Sequence, residues 1–333
     1  MDASESAACL PEDSDSWTSD PLKRIWQELS GLGLEPYVAD LEAHGFTVIP
    51  PAIACPNGLA DRLLAAVLDV SERRRGVRPD LATGATHVEF AGRYDKEGGD
   101  SPWGDLLHSL IFEGEVFEEA LMNPVLLAMT TYLCGYSVVL SSMGAFLKGP
   151  NKTQFGLHCD TLLPPPLPPQ ALVCNATYVL TEFNRENGST AFLPGSHKFC
   201  RGPRPHEAQL GEGGNPDAIA VQAPAGSMIV WHGNTWHGAF NRRAPGLRVS
   251  MPVLMARPYM RTEEDLFRRA PEAALKRNPA RFAYLVQQGI FYGFHSDESA
   301  EARNAYATKH VVDYQKESGG VLSLDPLRFH LYG

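Results

Sequence analysis

Four residues carry the chemistry legible in this sequence: His158, Asp160, His237 and Arg248. His158 and Asp160 lie two apart in Leu157-His158-Cys159-Asp160, and alternate side chains of a strand share a face. An imidazole and a carboxylate presented together can chelate one metal ion, while Cys159 between them points away. His237, in Trp236-His237-Gly238, would supply a second imidazole. Two neutral imidazoles and one carboxylate on one face of an octahedron are the donor set of non-haem ferrous oxygenase sites. That set leaves three positions open: a bidentate oxo acid can fill two and dioxygen the third. Arg248, eleven residues after His237, offers a planar fork of N–H donors to the distal carboxylate of such an acid. If Asn241–Gly246 is the loop of a hairpin, 239 pairs with 248 and 237 with 250. His237 and Arg248 are then diagonal neighbours, a relation that a one-residue slip would break.

Plainer readings stand beside this one. His158 could be a strand histidine bonded to a turn aspartate. His232 is an alternative ligand, five residues before His237, and His197 in Pro194-Gly195-Ser196-His197 is read as part of a structural turn. The remaining histidines show no partner pattern. Trp103, Phe155, Trp231 and Trp236 are either pocket walls or core. Asn175 and Thr177 share a strand face, as polar groups turned into a barrel or as satisfied core hydrogen bonds. Arg242 and Arg243 are expected to be exposed in the loop after His237.

The elements that must position these residues can be read from periodicity. Helices are expected over Pro21–Leu32, Pro36–His44 and Leu59–Arg74, with Leu22, Ile25, Trp26 and Leu29 forming the stripe of the first. Phe46–Ile49 reads as a strand. Leu121–Leu147 has no charged residue, yet Asn123-Pro124, Gly135 and Gly144 interrupt it. It resolves into a helix capped by Asn123 and stopped by Gly135, followed by one buried strand over Val138–Leu147, rather than a membrane span. Strand-like runs then dominate: Gly156–Cys159, Leu172–Leu180, Thr190–Leu193, Ile219–Val221, Met228–Trp231, Thr235–Phe240 and Leu247–Met255. So many short strands between turn residues indicate a sandwich or barrel. Helix returns at Glu263–Arg269 and Ala280–Gln288. Two long loops, Thr161–Gln170 and Cys200–Asp217, are candidate lids at the barrel rim. A Gly-rich loop is expected at Gly92–Gly104.

The 333 residues carry a net charge of −10, and no basic stripe marks nucleic acid as a partner. Six cysteines without C-x-x-C pairing fit a reducing compartment better than a disulfide framework. The polar, acidic start has no signal-peptide pattern. A cytoplasmic protein with no membrane partner is therefore expected. Residues 1–18 read as disordered. The rest reads as one α+β domain over 19–333: helices to about 135, the barrel over about 136–256, and a helical extension over 257–333 whose helices are candidates to pair two chains in a homodimer.

His158-x-Asp160, the later His237 and the Arg eleven residues on resemble the phytanoyl-CoA dioxygenase family of Fe(II)/2-oxoglutarate oxygenases. The stretch Thr181–His197, TEFNRENGSTAFLPGSH, is similar to that family's N-G…P-G-S-H segment, and Phe146–Pro150 to its strand ending in Lys then Pro. The likeness runs over about 40–256. It implies a double-stranded β-helix (jelly-roll, cupin-like) core and iron ligands at His158, Asp160 and His237. It places the 2-oxoglutarate C5 carboxylate on Arg248. Some members carry a hydroxyl two residues after the second His; here that residue is Ala239, and Thr235 or Thr177 are candidates to compensate. Gln154 falls where relatives place a co-substrate amide. In related halogenases a small residue stands where Asp160 does, so the aspartate favours hydroxylation or another oxidation such as desaturation or ring formation. The implied reaction uses Fe(II), 2-oxoglutarate and O2, yields succinate, and acts on a small molecule. The Pro-rich rim at Leu162–Pro169 leans toward a hydrophobic or natural-product-like substrate. Two alternatives are a jelly-roll that binds a small molecule without turnover and a cupin-like enzyme using another metal.

Overall fold

The computed structural model describes residues 20–84, 102–151, 153–291 and 295–319. The expectations of disorder over 1–18 and, for the most part, of a loop at Gly92–Gly104 lie outside these residues, as do Cys9, His87 and His330.

The chain opens with helix α1 (Pro21–Gly31), started by the Asp20 carboxylate accepting from the Leu22 and Lys23 amides. Only half of the expected stripe is buried: Ile25 and Leu29 pack inward, whereas Leu22 is 72% exposed and Trp26 45%. Helix α2 (Glu35–His44) ends at Gly45, whose φ of 83° suits glycine, and strand β1 (Phe46–Ile49) follows. Two short helical turns, of which the α-helical one is α3 (Pro51–Ala54), lead into α4 (Leu59–Arg75). Strand β2 (Asp105–Leu107) and helix α5 (Glu115–Leu121) were not apparent from periodicity, because both are short. Helix α6 (Pro124–Cys134) has its cap where expected: Asn123 Oδ1 accepts from the Val125 amide at 2.9 Å.

The expected single strand over Val138–Leu147 is two strands, β3 (Val139–Met143) and β4 (Ala145–Lys148). Gly144 separates them; a Cβ there would lie 2.7 Å from the Leu107 carbonyl oxygen of β2. The remaining strands are β5 (Phe155–His158), β6 (Val173–Val179), β7 (Thr190–Phe192), β8 (Ile219–Ala220), β9 (Met228–His232), β10 (His237–Ala239) and β11 (Arg248–Ala256). They form two antiparallel sheets. The larger runs β1-β9-β6-β11-β4-β2, with β3 also on β11; the smaller runs β5-β10-β7-β8. The two sheets fit the sandwich or barrel indicated by the strand pattern and the jelly-roll that the family resemblance implies.

The expected β10–β11 hairpin is absent. β10 pairs with β5 and β7 in the small sheet, and β11 with β4, β6 and β3 in the large one. The connection crosses between sheets and is held by Arg242, which is buried rather than exposed. Its Nε donates to Gly246 O at 2.8 Å, another guanidinium N–H donates to Pro245 O, and its amide donates to Asn151 Oδ1 at 2.7 Å.

Behind the sheets lie α7 (Leu266–Arg269), α8 (Glu272–Arg277), α9 (Ala280–Leu285) and α10 (Asp297–Glu317). The first and third are shorter than expected, and α8 and α10 were not foreseen. Helix α10 starts on a Ser296/Ser299 capping box and buries only Ala307, Val311 and Tyr314 among those of its residues facing α9, too thin a stripe to register as a periodic signal. The largest apolar core runs from Ile25 of α1 through the outer face of the large sheet to Tyr314 of α10.

Candidate metal centre

The two sheets enclose a cavity of about 310 Å³, and His158, Asp160, His237 and Arg248 all line it. His158 closes β5, and Asp160 sits in the bend just beyond the strand. The bend is fixed to the β9–β10 connection, since the amides of Asp160 and Thr161 both donate to Gly233 O, at 2.9 and 3.1 Å. Across the ladder His237 pairs directly with His158, and their ring centroids are 4.3 Å apart. Only glycine permits this approach: a Cβ on Gly238 would collide with the Phe155 carbonyl.

One ligand atom from each of His158, Asp160 and His237 lies within 4.8 Å of the others. His237 Nε2 is 3.4 Å from Asp160 Oδ1. His158 Nδ1 is 3.1 Å from Gly156 O, and His237 Nδ1 is 3.1 Å from Thr235 O. A carbonyl only accepts, so each Nδ1 carries the proton and each Nε2 keeps its lone pair. Asp160 Oδ2 accepts the Trp231 indole N–H at 2.9 Å. Burial, reinforced by His237 and opposed by Asp160, lowers His158 to about 4, so its imidazole is neutral at ordinary pH. The donor set therefore fits a divalent transition metal.

Arg248 is 4% exposed. Its guanidinium donates to Gly188 O and lies over the Phe183 ring, 4.7 Å from the centroid. Nε has no hydrogen-bond partner, and among the described residues no carboxylate pairs with this cation. Burial, with Arg242 nearby, pushes its pKa down to about 9. A buried, unpaired guanidinium in a cavity wall fits an anion. Lys148 stands directly opposite Arg248 in the β4–β11 register, fully buried, with Nζ donating to Phe240 O at 2.7 Å.

The other candidates divide. Thr177 lines the cavity and donates its hydroxyl to Asn175 Oδ1 at 3.0 Å. Thr235 does not; its hydroxyl donates to Gly45 O at 2.7 Å. Gln154 lies off the cavity too, with its amide 3.5 Å from Asn241 Oδ1. The hydroxyl absent at Ala239 has a neighbour that sequence reasoning missed: Thr190 pairs with Ala239 across β7–β10 and lines the cavity. His232 is no ligand here, because Nε2 faces Pro169 O at 3.1 Å and Nδ1 accepts from the Asn234 amide. His197 packs against His232, away from the cavity. Neither long loop supplies a cavity wall apart from Asp160's own corner. Leu162 is 87% exposed, and the 200–217 loop instead places Ala208 O on the Leu157 amide of β5. Pro102, Trp103, Leu106 and His108, together with Glu263 and Glu264, also line the cavity.

Known proteins resemble this chain in sequence and in fold. The family model for phytanoyl-CoA dioxygenase (PhyH) matches residues 41–250. The chain is 29% identical over 124 residues to "Dioxygenase af480" of Aspergillus fumigatus, covering 36% of this chain and 38% of that protein. It is 30% identical over 111 residues to "Dioxygenase cdmD" of Talaromyces verruculosus, covering 33% of each. The matches thus span well under half the length of these curated relatives. Among solved structures, HygX from Streptomyces hygroscopicus, crystallised with nickel and 2-oxoglutarate, superposes with a TM-score of 0.50 at 18% identity, over 69% of this chain and 88% of HygX. That likeness is one of fold. With the family model matching across both sheets and all four cavity residues inside its span, the chain belongs to the phytanoyl-CoA dioxygenase family.

Proposed function

We propose that this protein is an Fe(II)- and 2-oxoglutarate-dependent oxygenase that hydroxylates a small organic molecule. The observation that carries the reading is the pairing of a two-histidine, one-aspartate donor set with an unpaired buried arginine in one cavity. His158, Asp160 and His237 would hold the iron, and Arg248 would pair with the far carboxylate of the oxo acid. A ferrous ion bound there supplies oxidation by dioxygen, coupled to decarboxylation of 2-oxoglutarate to succinate and CO2. The chain itself contributes position and dryness. The two Nδ1–H bonds to backbone carbonyls aim the imidazoles. Thr190 and Thr177 place hydroxyls in the same cavity wall as Arg248 and the triad. Phe146, Phe155, Pro252 and Leu254 make an apolar lining that suits a substrate with a hydrophobic face.

Asp160 supports hydroxylation, because its carboxylate stands where a halide would need room. The continuous core supports one folded domain for the described residues from 20 onward. Among those residues no helix is long and apolar enough to cross a membrane, and we place the protein in the cytoplasm on the thiol state of its buried cysteines.

The test is anaerobic reconstitution with Fe(II) and 2-oxoglutarate, then addition of oxygen with a panel of hydrophobic small molecules. The expected result is oxygen uptake matched by succinate. Intact metal binding with no succinate from any panel member would leave a binding protein instead.

A further inference from the structure

We infer that Trp231 is a positioning residue for the metal centre, holding Asp160 as a one-oxygen ligand and fixing the ring of His237. The inference rests on the reading above that the triad holds iron.

Trp231 belongs to β9 of the large sheet, where Phe46 of β1 pairs with it on one side and Asn175 of β6 on the other. It is 5% exposed. Its indole Nε1–H reaches across the cavity to Asp160 Oδ2 at 2.9 Å, while the other carboxylate oxygen, Oδ1, faces His237 Nε2 at 3.4 Å. The same indole touches His237, with ring centroids 5.0 Å apart, and is met edge-on by Phe192 at 5.4 Å. One residue of the large sheet thus contacts two of the three donors carried by the small sheet and its corner.

Coordination arithmetic gives this contact its consequence. An ionised aspartate has two oxygens and can chelate through both. Six positions less three protein atoms leave three, enough for a bidentate oxo acid and dioxygen. If Asp160 used both oxygens, two positions would remain and the oxo acid would fill them. The indole N–H holds Oδ2 turned toward Trp231, and Oδ1, on the His237 side, is the oxygen presented to an ion; a carboxylate freed from this bond can swing to offer both oxygens. The simpler account, that Asp160 merely satisfies a buried indole, predicts lost stability on removing the N–H and no change in what the metal can bind.

The experiment measures 2-oxoglutarate saturation of the anaerobic Fe(II) protein through the visible charge-transfer absorption of the chelate. It compares wild type with Trp231→Phe, in both the native and the Asp160→Gly backgrounds. Trp231→Phe is expected to raise the half-saturating concentration about tenfold or more, with one Fe(II) per chain retained. In Asp160→Gly, which has no carboxylate to release, the same substitution should change it less than about threefold. A second variant with benzothienylalanine at 231 keeps the ring volume and lacks only the N–H, so it reads the same effect if Trp231→Phe folds poorly. Unchanged saturation in both variants, or an equal loss in both backgrounds, overturns the inference while leaving the oxygenase reading intact. A wild-type protein that binds Fe(II) but shows no 2-oxoglutarate absorption overturns both.

Discussion

Lys148 and Arg248 face each other on β4 and β11, both buried, and among the described residues neither has a carboxylate partner. Burial, followed by the charges of Arg248, Arg185 and Arg242, pushes Lys148 down to about 6. Its amine is therefore neutral at pH 7.5, and a dianion arriving at Arg248 would draw a proton onto it. Binding of 2-oxoglutarate is expected to take up a substantial fraction of one proton. Calorimetry in two buffers of different ionisation enthalpy measures this, and Lys148→Met should abolish the uptake; equal heats in both buffers would count against it. The sign for stability follows. The folded pKa lies below the unfolded one, so the penalty is complete below pH 6 and fades as pH rises toward the ordinary lysine value. The Lys148→Met protein should show a flatter stability profile between pH 6 and 10.

Arg248→Ala should weaken 2-oxoglutarate binding by about 10- to 100-fold, the worth of a charged hydrogen-bonded pair. Fe(II) affinity should change little, since Arg248 touches no member of the triad. Because the cation is buried without a counter-ion, its removal should not lower the melting temperature of the metal-free protein by more than a few degrees. Metal and co-substrate titrations of one preparation separate these effects. A common loss of both affinities would mean the substitution collapses the cavity.

Gly238→Ala tests the ladder that brings the two histidines together. The added methyl meets the Phe155 carbonyl of β5, so the strands must part beside His237. Metal binding should be lost, while the large sheet, and with it most of the cooperative unfolding transition, persists. An alanine variant that binds Fe(II) like wild type would show that the two strands need not be this close.

Acid should destabilise the metal-free protein. Burial, with His197 adjacent, lowers His232 to about 4, and its ring nitrogens are both engaged by backbone groups. Its folded pKa lies below the ordinary value, so the unfolded chain binds more protons and stability falls as pH drops from about 6.5 toward 4. His158 acts in the same direction. Thermal melting across that range should show the loss, and His232→Gln should make the slope shallower. An unchanged slope in that variant would place the proton uptake elsewhere.

How far the sequence could be read follows from what each feature depends on. The two-layer strand core and the His158/Asp160 pair were legible because alternation and a two-residue spacing are local, whereas the jelly-roll and the roles of His237 and Arg248 rested on the family resemblance and on a hairpin that the fold lacks. The partition of β10 and β11 between sheets was not, since it is decided by Arg242 gripping Gly246 O and by Asn151, ninety-one residues away, accepting the Arg242 amide. Thr190 escaped for the same reason, and Trp231 was legible only as pocket wall or core. Their places opposite Ala239 and against Asp160 come from pairing between distant strands. Thr235, two residues before His237, looked well placed by alternation. β10 begins only at His237, so Thr235 precedes the strand and turns to Gly45.

The most direct test of the account is an anaerobic titration of the Fe(II)-loaded protein with 2-oxoglutarate, run in parallel on His158→Ala, Asp160→Ala, His237→Ala and Arg248→Ala. The account predicts a saturable visible absorption at one equivalent in wild type, lost in His158→Ala and His237→Ala, retained with altered shape in Asp160→Ala, and shifted to higher concentration in Arg248→Ala. A wild type that binds no Fe(II), or a triad variant that titrates like wild type, would contradict it.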